Sequence, residues 1–289
     1  MKEYVEFKKQ RELGAILTDV FKFIRLEWRD LGSLLLRIAG PVLLLVVVCY
    51  IYYMQSTFGG FQSFLSTSTP FEVFSISTVI SLLLFVFSVL AFYSLLYATV
   101  LCYIKSYVAH QGKVDRQEVS DGVKRFFWSM LGLNILVGLI VGFGIVLCFL
   151  PGVYLGVCLA LSAPILVFER KDVIASIGDS FKLIKDEWWI TFATFIVIYI
   201  LYYVIMLIFQ IPQLFYIFFK GFTMSEEISA NPFEIIDWFS ITLEVIAMIA
   251  QYTMFTLLII SIAMVYYNLN ERKNFTGTLE TIDQLGESK

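Results

Sequence analysis

Histidine occurs once in this chain, at position 110, and charged residues fill only 16% of its 289 positions. These shortages exclude much. His110 stands beside Gln111 and Gly112 in a polar stretch and reads as a solvated side chain. No His, Cys and carboxylate set has the spacing of a metal site. There is no Gly-rich phosphate loop, and no serine lies in a nucleophile elbow with a histidine in reach. No catalytic residue, cofactor or metal ligand is therefore expected, and the chain reads as a non-enzyme. Its four cysteines (Cys49, Cys102, Cys148, Cys158) lie inside apolar runs, where thiols behave as small hydrophobes and form no disulfide framework. The net charge of −3 lacks the basic balance of nucleic-acid binders, so nucleic acid is not an expected partner. No short apolar run with a small-residue cleavage site follows the charged stretch 1–11, which argues against a cleaved signal peptide.

What fills the chain instead is apolar: 59% hydrophobic, 17% aromatic, with a mean hydropathy of +0.81. Ordinary globular chains carry about a quarter charged residues. This one lacks the polar surface to face water, so lipid must solvate most of it. Runs of about 20 apolar residues mark spanning helices. Six are predicted, near 33–55, 74–104, 126–149, 152–168, 190–219 and 240–268. The fourth is short and follows Pro151-Gly152, read as the turn that joins it to the third in a hairpin. The expected class is an all-α polytopic membrane bundle, one membrane domain over 1–289. Twenty of the 21 basic residues fall in the N-terminal segment to Arg37, the stretches 105–125 and 170–185, and the tail. Only Lys220 is on the other side, so both termini are expected to be cytoplasmic.

The chain also echoes itself. Ala15, Asp19, Phe21, Lys22, Ile24, Glu27 and Trp28 return 160 positions on as Ala175, Asp179, Phe181, Lys182, Ile184, Glu187 and Trp188. Thr69-Pro70-Phe71-Glu72-Val73 returns as Asn231-Pro232-Phe233-Glu234-Ile235, and Ser94-Leu95-Leu96 as Thr256-Leu257-Leu258, both offset by 162. Two parallel repeats follow, each an amphipathic interfacial helix and two spans. Repeat 1 covers 11–104 and repeat 2 covers 170–270; a cytoplasmic loop and the third and fourth spans (105–168) lie between them, and 271–289 is a cytoplasmic tail.

In the first amphipathic helix Leu13, Ile16, Leu17, Val20, Phe21, Ile24, Trp28 and Leu31 follow a 3.6-residue period. Its twin uses Ile174, Ile177, Phe181, Ile184 and Trp188. Such a helix either lies in the headgroup plane or packs as a lid on the spans, since lipid and protein are equally good apolar partners. The Pro-Phe-Glu elements read as helix starts, with Pro70 or Pro232 at the first position and Glu72 or Glu234 completing a capping box.

Leu150-Pro151-Gly152, then Ala163-Pro164 with Glu169 five residues on, Ser176, Ser180-Phe181-Lys182-Leu183 and Trp188-Trp189 follow in order. This set resembles the uncharacterised bacterial six-span proteins related to the membrane domain attached to some glycerophosphodiester phosphodiesterases. The resemblance covers about 150–190. It implies a multi-span bundle in a bacterial cytoplasmic (inner) membrane. The phosphodiesterase domain of the fused relatives is absent, so its activity is not carried over.

Two sets of residues are the candidate contacts. Gly138, Gly142, Gly152 and Gly156 form small-xxx-small pairs that serve either a partner helix or packing within the bundle. Trp28, Arg29, Glu169, Arg170, Lys171, Trp188 and Trp189 combine interfacial aromatics with charge, as headgroup contacts do; Glu169 has local pairing as its other reading. Deep ionisable groups would flag an ion pathway, yet the spans hold only Arg37 and Glu244, near their ends, and neutral Asn134, Gln210, Gln213 and Gln251. The expected function is therefore a non-catalytic scaffold or accessory subunit whose partners are membrane lipids or other membrane proteins. The alternative is a transporter or flippase of a lipid-like or apolar substrate.

Overall fold

A computed structural model describes residues 4–67, 76–224, 237–279 and 282. All regular structure among them is helical: α1 (Leu13–Ile38), α2 (Gly40–Thr67), α3 (Ile76–Ala109), α4 (Arg116–Leu147), α5 (Phe149–Leu159), α6 (Ser162–Phe168), α7 (Val173–Ile184), α8 (Trp188–Thr223) and α9 (Trp238–Asn274). Six stretches are long and apolar enough to cross a membrane, namely Gly40–Thr57, α3, α4, α5 with α6, α8 and α9. The six expected spans are all present. Both Pro-Phe-Glu elements, Thr69 to Val73 and Asn231 to Ile235, lie outside the described residues.

Two of the differences from the predicted span boundaries have a cause in proline. The first span starts at Gly40, not 33, because α1 continues to Ile38 and breaks at Ala39. Pro41 has no N–H to give the carbonyl of Arg37, which explains the break at that point. The turn between the third and fourth spans is at Cys148, whose backbone is extended (φ −164°, ψ 132°), and not at Pro151-Gly152. Pro151 lies in the first turn of α5, where a missing N–H costs nothing, so it starts a helix instead of ending one.

The chain forms two compact units. One comprises Met1–Ala39, Tyr93–Ile200 and Thr256–Lys289. Its core is aromatic: Phe7 packs edge-on against Phe23, Tyr107 and Tyr267, with ring centroids 5.2, 6.0 and 5.6 Å away. The charged N-terminal stretch is thus built in, with Val5 and Phe7 buried and the Val5 N–H bonded to Tyr107 Oη at 3.0 Å. At the other end Glu271 accepts from the N–H groups of Gly277 and Thr278 at 2.6 and 3.0 Å, which caps the helical turn at 276–279.

In this unit α1 buries Ile16, Val20, Phe23, Glu27, Leu31 and Leu34. Phe21 and Trp28, assigned from the sequence to the apolar face, point outward. Hydrophobicity sets the stripe only to within a residue or two, and here Glu27 is drawn inside by the Tyr103 hydroxyl, 2.7 Å from its carboxylate. α7 buries Ser176, Ser180, Leu183 and Ile184 and leaves Ile174 exposed. It ends at Ile184, so Trp188 opens α8 and is not the last residue of an amphipathic helix. Ile16, Val20 and Phe23 occupy the buried positions 160 residues before Ser176, Ser180 and Leu183.

The second unit comprises Gly40–Phe92 and Leu201–Phe255. Tyr50 and Tyr53 of α2 pack on Phe85 of α3, with centroids 5.7 and 5.8 Å apart. Its α8 and α9 parts are joined by polar contacts: Gln213 donates to Glu244, and Tyr216 and Lys220 meet Asp237 at 2.5 and 2.8 Å. Lys220 thereby neutralises Asp237.

Candidate functional site

The residues of the Pro-x4-Glu and Ser-Phe-Lys-Leu set come together around a broken helix. Pro164 cannot donate to the carbonyl of Ala160, and the fourth span divides there into α5 and α6. The hydroxyls of nearby serines take up carbonyls at the break, Ser162 Oγ donating to Leu159 (2.6 Å) and Ser180 Oγ of α7 donating to Cys158 (2.6 Å). At the lower end Lys105 Nζ caps α6 through the carbonyls of Val167 and Phe168 at 2.5 and 3.3 Å. Arg170 follows in the left-handed region (φ 55°), the backbone state that commonly closes a helix.

Glu169 accepts from Tyr266 of α9 at 2.8 Å and pairs with Lys171 at 2.6 Å. Lys171 also reaches Asp179 at 2.7 Å, and Asp179 takes Lys182 at 2.8 Å. A cavity of about 230 Å³ opens beside this chain of charges, lined also by Asn270 and Lys273. Hydrogen bonds from Lys171 and then Lys182 hold the Asp179 carboxyl at about 2, below its ordinary 3.8. Its donation to Asp179 and then to Glu169 holds the Lys171 ammonium above its usual range. A depressed carboxyl pKa means that the pairing stabilises the fold above the ordinary value and is lost as pH falls through the depressed one. A carboxyl-carbon titration of labelled protein should give an Asp179 midpoint near 2, which returns toward 3.8 in the double variant Lys171→Met, Lys182→Met. An unchanged midpoint in that variant would break the assignment.

The other candidates separate. Trp28 is 59% exposed with the Arg29 guanidinium over its ring at 5.3 Å, and Trp189 is 76% exposed. Trp188 is half-buried, stacked on Tyr154 at 5.4 Å and on Phe192 at 5.0 Å. Of the glycines, Gly152 packs directly on α4, and Gly156 has Val141 Cγ1 3.7 Å from where its Cβ would be. Gly144 meets Gly152 and completes the close approach. Gly138 and Gly142 face open space. His110 lies against the Ser106 carbonyl at 3.0 Å and Glu118 at 3.7 Å, away from Glu169 and Asp179. No group of three or more His, Cys, Asp or Glu that could hold a metal occurs among the described residues.

The sequence reading did not anticipate an apolar groove of about 380 Å³ walled by Val153 and Gly156 of α5, Ala160 just past its end, Phe192, Ile196 and Ile200 of α8, and Ile262 of α9. Its signal was present in Gly156, a residue without a side chain in the middle of an apolar helix, but the spacing alone pointed equally to helix contact.

Six helices long and apolar enough to cross a membrane define a multi-pass α-helical membrane protein. Within that class the chain belongs to an uncharacterised protein family (UPF0259), which it matches over residues 52–227. No curated protein and no solved structure matches it.

Proposed function

We propose that the protein is a non-catalytic component of the bacterial cytoplasmic membrane, an accessory or scaffold subunit that engages a partner membrane helix through α4, with both termini on the cytoplasmic side. One observation carries this reading. The hairpin uses Gly144 and Gly152 for its own packing and leaves Gly138 and Gly142 clear, next to exposed Leu139 and Phe143. In lipid, apolar surface alone does not bring helices together, and close backbone approach does. The matching buried positions of α1 and α7 support a duplicated membrane unit, and the ordered Pro-Gly, Pro-x4-Glu and Trp-Trp residues support kinship with the membrane domain attached to some glycerophosphodiester phosphodiesterases.

Purification of the full chain in gentle detergent should recover a stoichiometric partner protein. Gly138→Leu with Gly142→Leu should lower that recovery by about tenfold, equivalent to roughly 1.4 kcal/mol. Recovery of a bare monomer, indifferent to the two substitutions, overturns the reading. The apolar groove favours a second one, transport or flipping of a lipid-like substrate, which needs no buried charge.

A further inference from the structure

We infer that the cavity between the ends of α3, α4 and α6 binds a phosphate group, held by the guanidinium forks of Arg125 and Arg170 beside the ammonium of Lys105. This goes beyond the partner-helix reading and is independent of it, because Gly138 and Gly142 lie further along α4. Arg170 is among the headgroup candidates of the sequence, whereas Lys105 and Arg125 are not. The three cations line a cavity of about 280 Å³ together with Glu118 and Asp121. α3 and α4 come close at Gly122, whose Cβ would be 2.9 Å from Cys102 Sγ. One turn from that approach, the charged groups of Lys105 and Arg125 lie 5.7 and 5.8 Å from the centroid of the Phe126 ring. Each cation also marks the end of an apolar run. Lys105 directly follows the second predicted span, Arg125 directly precedes the third, and Arg170 is two residues past the fourth. Trp128, 74% exposed and one turn along from Arg125, belongs to the same headgroup level.

The carboxylates around the cavity are directed elsewhere. Glu118 accepts from Ser106 Oγ at 2.7 Å and lies 3.7 Å from His110, and Asp121 is 3.8 Å from Lys124. Glu169 pairs with Lys171, and Asp172 caps α7. Lys105 already donates to the Val167 and Phe168 carbonyls, so it adds charge more than hydrogen bonds. The side chains of Arg125 and Arg170, both exposed, form no ion pair or hydrogen bond among the described residues, and Arg125 rests only on Phe126. Lys105, Lys124, Arg125, Arg170 and Lys171 stand against Glu118, Asp121, Glu169 and Asp172, which leaves one positive charge with His110 neutral. The next charges out cancel: Lys113 against Asp115, Arg116 against Asp30, and Lys182 against Asp179. Two guanidiniums without partners at one cavity suit a tetrahedral oxyanion, since each fork matches a pair of phosphate oxygens. Phosphate is the anion that a bilayer presents at this depth, in basic pockets between helix ends. A lipid headgroup and free inorganic phosphate share that chemistry, and the test separates them.

Full-length protein in detergent is titrated in one arm with phosphatidylglycerol, and bound lipid is counted by native mass spectrometry. In the other arm it is titrated with inorganic phosphate and followed by calorimetry. Retention of phosphatidylglycerol at least about tenfold above a diacylglycerol with the same chains identifies a lipid headgroup. Binding in the phosphate arm alone identifies the free anion. In whichever arm binds, Arg125→Gln with Arg170→Gln should weaken binding by about tenfold. Arg25→Gln with Lys113→Gln removes the same charge from exposed positions elsewhere and should leave it unchanged. Each single arginine variant, expected at roughly threefold, serves if the pair fails to fold. Absence of binding in both arms overturns the inference, as does equal loss in the two double variants. Equal retention of the diacylglycerol, with no binding of inorganic phosphate, overturns it too.

Discussion

Gly152→Ala should destabilise the protein by about 3 kcal/mol, the upper part of the range for an overfilled core. A methyl group at this position would lie 2.3 Å from Ile145 Cγ1, 2.5 Å from its backbone nitrogen and 2.7 Å from its Cα. Two of those three atoms are backbone, so no rotamer change relieves the clash. α4 and α5 must move apart, and the approach of Gly144 to the Gly152 Cα is lost with it. The damage should spread, since α5 carries the Cys158 carbonyl that ties down Ser180 of α7 as well as one wall of the groove. Thermal unfolding in detergent, followed by circular dichroism, measures the loss. Gly138→Ala is the control, for its methyl group meets nothing within 4 Å and should change stability by no more than about 0.5 kcal/mol. Equal unfolding of the two variants would mean that the hairpin is not closed at Gly152.

Much of the architecture was legible because a membrane imposes it. Every backbone polar group in hydrocarbon must be paired within its own helix, so span length and composition alone locate the six helices. Less was legible where proline is concerned. Pro151 was ambiguous because a missing N–H either ends a helix or is harmless in its first turn. The rotation of α1 was read one residue off. Glu27 is charged and so was not a candidate for the buried stripe, yet the Tyr103 hydroxyl, contributed from 76 residues away, draws it in. Non-local partners of that kind leave no local trace. Local pairing is one of the two readings of Glu169 in the sequence, but no partner is legible there, because the links through Lys171 to Asp179 and Lys182 and to Tyr266 depend on α7 and α9 closing around the break at Pro164. The glycines divided for a similar reason, since spacing does not tell which side of α4 faces α5.

The buried N-terminal strap was the least expected feature, and its anchor is Arg11, whose removal should have the second large effect. The Arg11 side chain is 3% exposed and bonds Asp19 Oδ2 at 2.7 Å. Its guanidinium also donates to the carbonyls of Phe7 and Lys9 at 2.9 and 3.0 Å and to that of Glu6, while its backbone N–H donates to Asn268 Oδ1 at 2.7 Å. Arg11→Ala strands three carbonyls and the partly buried carboxylate of Asp19. Loss of one partner of a fully buried pair costs about 3–5 kcal/mol, and Asp19 retains enough exposure to reduce this to about 2–3 kcal/mol. Phe7, fully buried among Phe23, Tyr107 and Tyr267, would then be released more often with its strap. Trypsin reports this directly, because Lys8 and Lys9 lie within the strap. Cleavage there should accelerate by about tenfold or more, since proteolysis tracks the open population. Arg11→Lys should fall between, as an ammonium keeps the charge but not the fork. Arg25→Ala, on the exposed side of α1, should leave the rate unchanged. Cleavage of Arg11→Ala no faster than that control would show that the strap is held by its aromatic contacts alone.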